Sequence, residues 1–146
     1  MHGQFAFGIA ISLVNIAIHA AIMTSVSRTV HRTSLATQAA RAHFRLMLVM
    51  MATVSVLMLA HLIEVGVWGL LYVMLDVAPR NAAYYFAFVN YTTLGYGDLV
   101  PSADWRLIGP ITAMNGVLLF GWSTAVLFDV IRTVGETLRQ RPPGAN

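Results

Sequence analysis

Three long stretches almost free of charge limit what this chain can fold into. Phe5 to Val26 holds no Asp, Glu, Lys or Arg over 22 residues. Leu46 to Leu75 runs for 30 residues with Glu64 as its one charge, and Leu107 to Phe128 runs for 22 with none. A helix of about 20 apolar residues spans the roughly 30 Å of bilayer hydrocarbon. Each stretch is therefore long enough to cross, and the second is long enough to tilt or protrude. Of the 146 residues, 58% are hydrophobic and 10% charged, where a soluble domain carries about 25% charged. So few charges cannot cover a globule with solvated surface, and the expected fold class is an all-α membrane protein. The chain has no Cys, which excludes a disulfide framework and a thiolate metal site. Its net charge of +3 is too small and too localised to suggest a nucleic-acid partner. Met1-His2-Gly3-Gln4 lacks Lys and Arg, and the apolar run after it exceeds a usual signal-peptide core. The first stretch is expected to be a retained helix.

Arginine gives the expected orientation, because all nine basic residues are Arg. The linker 27–45 holds Arg28, Arg32, Arg41 and Arg45, and the segment after Phe128 holds Arg132, Arg139 and Arg141. The connection between the second and third spans holds only Arg80 and Arg106, beside Asp76, Asp98 and Asp104. Linker and C-terminus are expected in the cytoplasm, with the N-terminus and the second connection outside a cell membrane. Residues 1–146 read as a single membrane domain without internal repeat, and 134–146 as a disordered tail ending Arg141-Pro142-Pro143.

The second connection is the informative one. Pro79-Arg80-Asn81 breaks the chain, and Asn81 is the expected N-cap of a short helix. Ala82 to Thr92 is an apolar, aromatic stretch of 11 residues, about 16 Å as a helix and too short to cross. It must enter and return, and irregular backbone at that depth must be buried in protein or line a wet cavity. The return reads Thr93-Leu94-Gly95-Tyr96-Gly97-Asp98.

From Tyr84 to about Arg132 the chain resembles the potassium channel pore family, whose filter reads Thr-Val-Gly-Tyr-Gly; Leu94 replaces the Val. The resemblance implies a pore helix at 82–92, a selectivity filter at 93–98 and an inner helix at 107–133. It implies a homotetramer conducting potassium passively, with potassium ions in the filter and no other cofactor. A dehydrated potassium ion needs its water shell replaced by oxygens, here the carbonyls of Thr93, Leu94, Gly95 and Tyr96 with the Thr93 hydroxyl. Those carbonyls must face one axis, whereas those of a strand alternate sides. Gly95 and Gly97 permit conformations closed to other residues. One chain supplies one arc of each ring, and the resemblance makes the number of copies four.

Filter support is expected from Asp98, Tyr85 and Thr92. Many family members hold the aspartate after the filter by a carboxyl group four residues before the filter threonine. That place is Val89 here, which has no polar atom. Tyr85 lies one turn earlier on the same face and is the expected donor to Asp98, with Tyr84 as the fallback. Tyr84, Tyr85, Phe86, Phe88 and Tyr91 read as a cuff around the filter, or else as an interfacial aromatic belt.

In the inner helix, Gly116 falls where the family has its hinge, and Val117, Phe120, Thr124 and Phe128 share a face toward the cavity and gate. The competing reading is that Gly116 and Gly121 let helices pack closely. Asp129 would ring the inner mouth or pair with Arg132. No span repeats Arg every third position, so no voltage sensor is expected. The Arg pairs at i, i+4 in the linker, Arg28/Arg32 and Arg41/Arg45, read as a contact for anionic lipid or else as simple anchors of the topology.

His19, His61 and Glu64 fall within spans, close to mid-depth. They read first as structural polar contacts joining the first two spans, and second as a metal site. Alternatives to a potassium channel are a weakly selective cation channel, a non-conducting membrane scaffold or sensor, and an intramembrane metalloenzyme on those three residues. No nucleophile and base stand at a clear spacing, so no enzyme is expected.

Overall fold

The computed structural model describes residues 2–34 and 42–139. Four α-helices follow in order: α1 (His2–Ser34), α2 (Ala42–Met74), α3 (Ala83–Tyr91) and α4 (Ile108–Arg139), with a 3-10 turn at Ala103–Trp105 before α4. There is no strand among the described residues. α1, α2 and the segment containing α4 are each long and apolar enough to cross a membrane. The fold is the expected one, three long helices with a short helix between the second and third.

The long helices run past the charge-free stretches. α1 continues through Ser27 to Ser34, where a linker was expected, and α4 continues through Val134 to Arg139, where a tail was expected. Hydropathy marks where a helix sits in lipid, but a helix ends where the chain can no longer propagate it. Neither extension meets a proline: after Phe128 the first is Pro142. At 33 residues α1 is about 50 Å long and overruns the hydrocarbon. Arg41 and 140–146 lie outside the described residues.

α1 and α4 lie side by side and parallel. Gln4 Oε1 accepts from the Leu107 N–H at one end (2.9 Å), and His31 Nε2 stands 3.8 Å from Asp129 Oδ2 at the other. α2 runs antiparallel to both, so the start of α1 shares a side with α3. Thr24, Ser25, Thr29, Ser55 and Thr124 each donate to the carbonyl four residues back, which gives each hydroxyl a partner within its own helix.

α3 is held between α2 and α4 by a core of Val65, Trp68, Tyr72, Phe86, Ala87, Tyr91, Ile108 and Leu119. Lipid is as apolar as leucine, so in a bilayer packing and interhelical hydrogen bonds hold helices together, at about 0.6 kcal/mol per bond on average. One such bond ties α3 to α2, Asn90 Nδ2 donating to Tyr72 Oη (3.2 Å), and a second ties α2 to α4, Tyr72 Oη standing 2.8 Å from Thr112 Oγ1. The N-cap of α3 is Ala82 and not Asn81, with no side-chain cap. The Ala82 carbonyl already accepts the first helical bond, from Phe86 N–H, which puts the cap one residue past Asn81.

Candidate ion pathway

α2 and α3 end in the same motif. After α2, Asp76 is left-handed (φ 49°), Asp76 N–H donates to Val73 O and Val77 N–H to Tyr72 O. After α3, Thr93 is left-handed (φ 60°), Thr93 N–H donates to Asn90 O and Leu94 N–H to Val89 O. Both are Schellman ends, in which the left-handed residue is usually Gly or Asn. Asp tolerates that conformation, but a β-branched Thr does not, and such a residue costs about 1–3 kcal/mol. The strain falls on the first residue of the candidate filter.

From there φ alternates in sign. Thr93, Gly95 (φ 56°) and Gly97 (φ 80°) are positive, while Leu94 and Tyr96 are not. Alternation of the sign of φ is a way for a backbone to turn successive carbonyls to one side, where those of a strand alternate. Leu94 and Tyr96 are 51% and 69% exposed.

The expected contact at the outer end is present. Tyr85 Oη donates to Asp98 Oδ2 at 2.7 Å, across 13 residues. The hydrogen bond to the Asp98 carboxylate raises the Tyr85 phenol above its ordinary range. Tyr84 instead stacks on Phe88 at 6.2 Å. Thr92 turns back on α3, its hydroxyl donating to Phe88 O at 2.8 Å, and is not part of the Tyr85–Asp98 contact.

Behind α3 lies a polar cluster with members from all four helices. His19 Nδ1 is 2.8 Å from Glu64 Oε1, and His61 Nδ1 is 3.0 Å from Glu64 Oε2 and 2.9 Å from Tyr91 Oη. Tyr91 Oη donates to Glu64 Oε2. On the far side of both imidazoles, Ser123 Oγ is 3.0 Å from His61 Nε2 and 3.4 Å from His19 Nε2. His19, Glu64 and Tyr91 are fully buried. A neighbouring layer joins Asn15 to the Glu64 carbonyl (3.3 Å) and to Asn115 (3.2 Å), and Trp68 Nε1 to Asn115 (3.0 Å).

A family model described as an ion channel matches residues 46–133, more than half of the chain. The chain belongs to the ion channel family. No curated protein and no solved structure matches it. The matched region runs from the start of the second span through the short helix, the 93–98 segment and most of α4, and leaves α1 outside.

Within this chain, α4 is divided lengthwise. Asn115, Leu119, Ser123, Val126 and Val130 are buried, whereas Val117, Thr124 and Phe128 are exposed, Phe128 at 69%. Phe120 begins that exposed face, but its ring packs on His61 (4.5 Å) and Tyr91 (5.4 Å). Gly116 is a packing residue: a Cβ there would meet the Tyr91 carbonyl oxygen at 2.0 Å. Gly121 has nothing within 4 Å. Arg132 pairs with Glu136 at 3.0 Å rather than with Asp129. Of the aromatic group on α3, Phe86 and Tyr91 are buried inside the subunit, and Tyr84, Tyr85 and Phe88 remain exposed.

His19, His61 and Glu64 are brought together as the sequence suggested, but Tyr91 and Ser123 belong with them. The sequence carries a signal for both. Tyr91 follows Asn90 at the end of an apolar helix, and Ser123 sits in the middle of a charge-free span, where a polar atom needs a partner.

Proposed function

We propose that the chain is one subunit of a homotetrameric potassium-selective channel, in which Thr93, Leu94, Gly95, Tyr96 and Gly97 form the selectivity filter. The observation that carries this reading is the alternation of φ at Thr93, Gly95 and Gly97, directly after a helix too short to cross a membrane. That backbone offers a column of carbonyls to one axis, and a column of carbonyls is what replaces the hydration of potassium. A single chain surrounds nothing, so copies must close the ring. The exposed Leu94, Tyr96, Tyr84 and Phe88 supply apolar surface for neighbouring copies.

In this reading the C-terminal end of α3 directs its partial negative charge toward the ion path, favouring a cation. Asp98 and Tyr85 brace the outer end of the filter. The exposed face of α4, with Val117, Phe120, Thr124 and Phe128, lines the inner cavity, and Phe128 lies near the cytoplasmic mouth. The membrane is the cell membrane, with the N-terminus outside and the C-terminus in the cytoplasm. The test is reconstitution of the purified chain into liposomes with potassium and sodium gradients. Potassium flux well above sodium flux supports the proposal, and equal fluxes or none contradict it.

A further inference from the structure

We infer that His19, His61, Glu64 and Tyr91 form a site for one divalent cation of the zinc class in each subunit, where α1 and α2 meet the end of α3. This inference concerns the cluster alone and does not rest on the potassium reading.

The donor set is the first argument. One ligand atom each from His19, His61 and Glu64 lies within 4.8 Å of the others. Two imidazoles and a carboxylate are a ligand set that zinc takes with a fourth position to fill. Tyr91 Oη stands at that position, 2.9 Å from His61 Nδ1 and in contact with Glu64 Oε2. Ligands about 2.0–2.1 Å from a tetrahedral zinc are about 3.4 Å from one another. The observed contacts of 2.5–3.0 Å must therefore open by roughly 0.4–0.9 Å, and ligand atoms up to 4.8 Å apart must close by up to about 1.4 Å, through side-chain rotation.

Hydrogen-bond counting is the second argument. Without a metal, and with both imidazoles neutral and Nδ1–H donating to Glu64, both Nε2 atoms are acceptors. Both face Ser123 Oγ, which has one proton and can serve only one of them. A cation on the two Nδ1 atoms reverses this. Both Nε2 atoms then carry hydrogen, and one hydroxyl oxygen accepts from both. An acceptor on the second imidazole nitrogen is the usual outer support of a metal-bound histidine.

Charge is the third. A lone dication this deep is costly unless neutralised. Glu64 sets one negative charge directly against the site, in contact with His19, His61 and Tyr91. Since Tyr91 stands two residues before Thr93, a bound ion ties α1 to the segment that carries the candidate filter.

The experiment uses the full chain in detergent, stripped with a chelator and titrated with zinc against a coloured competitor. Metal content is measured after gel filtration, and cobalt(II) is used as a spectroscopic substitute. The expected result is one zinc per chain and the intense visible bands of four-coordinate cobalt. Glu64→Gln and His19→Gln keep size and hydrogen bonding and should weaken binding by about 100-fold or more; Ser123→Ala should weaken it about 10–100-fold. Zinc should also raise the melting temperature of the parent and not that of Glu64→Gln, which covers the case of a variant that folds less well. A parent that retains no zinc, a Glu64→Gln variant that binds like the parent, or cobalt that stays six-coordinate would overturn the inference.

Discussion

Gly116→Ala separates close packing from hinging in α4. The new Cβ would lie 2.0 Å from the Tyr91 carbonyl oxygen and 3.0 Å from its carbon, where ordinary contact begins at 3.4 Å. A displacement of about 1.4 Å (3.4 less 2.0) must open between α4 and the end of α3. The obstacle is backbone, pinned by the two helix-ending bonds to Val89 and Asn90, so it cannot rotate aside. Alanine gains about 1 kcal/mol of helix propensity over glycine. Overpacking costs typically 1–3 kcal/mol and more where the neighbour is rigid. The upper end applies here, leaving a net loss of about 2 kcal/mol per chain, or about 8 kcal/mol in the proposed tetramer. Gly121→Ala is the control, since nothing lies within 4 Å and only the gain in propensity applies. Thermal loss of the tetramer, followed by gel shift, should come at lower temperature for Gly116→Ala and not for Gly121→Ala. Potassium selectivity should fall with it, because Tyr91 is two residues from Thr93. A Gly116→Ala channel as stable and as selective as its parent, altered only in opening, would refute the packing argument and restore the hinge.

Gly95→Ala places a Cβ on a left-handed residue, at about 1–2 kcal/mol per subunit, and should abolish the preference for potassium over sodium in flux assays. Thr93→Ala removes a hydroxyl ligand but keeps the carbonyls, so potassium block or binding measurements should show a weaker innermost site with selectivity partly retained. Tyr85→Phe removes the donor to Asp98 and should speed inactivation in single-channel records while the tetramer stays intact; unchanged inactivation would detach that bond from function. Arg28 and Arg32 stand in the last turns of α1, and attraction to anionic headgroups of about 1 kcal/mol per Arg should make open probability rise or fall with anionic lipid content in planar bilayers.

The spans are legible in the sequence because the cost of burying charge in lipid leaves long gaps between charged residues. Their ends are less legible, because residues 27–34 and 134–139 are polar enough for water yet carry no proline to stop a helix. The Tyr85–Asp98 bond is legible through the family resemblance, which puts the partner of Asp98 at Val89, where no polar atom stands, and through helical spacing, which puts Tyr85 one turn earlier on the same face. The Schellman end at Thr93 does not, since its usual glycine is missing and the β-branched residue in its place disguises it. His19, His61 and Glu64 announce themselves as ionisable groups in apolar runs. Their link to Tyr91 and Ser123 depends on how α3 and α4 cross, which periodicity along one helix does not contain. Gly116 shows the same limit: spacing places it mid-helix, and only the approach of the Tyr91 carbonyl explains why it carries no side chain.

The most direct measurement is the ratio of potassium to sodium permeability of the purified chain in liposomes, taken beside the mass of the native complex. A filter built on Thr93 to Gly97 predicts a mass of four chains and potassium permeability far above that of sodium, with the preference lost in Gly95→Ala. A complex of one or two chains that still selects potassium, or a tetramer whose parent and Gly95→Ala forms pass both ions equally, would contradict it.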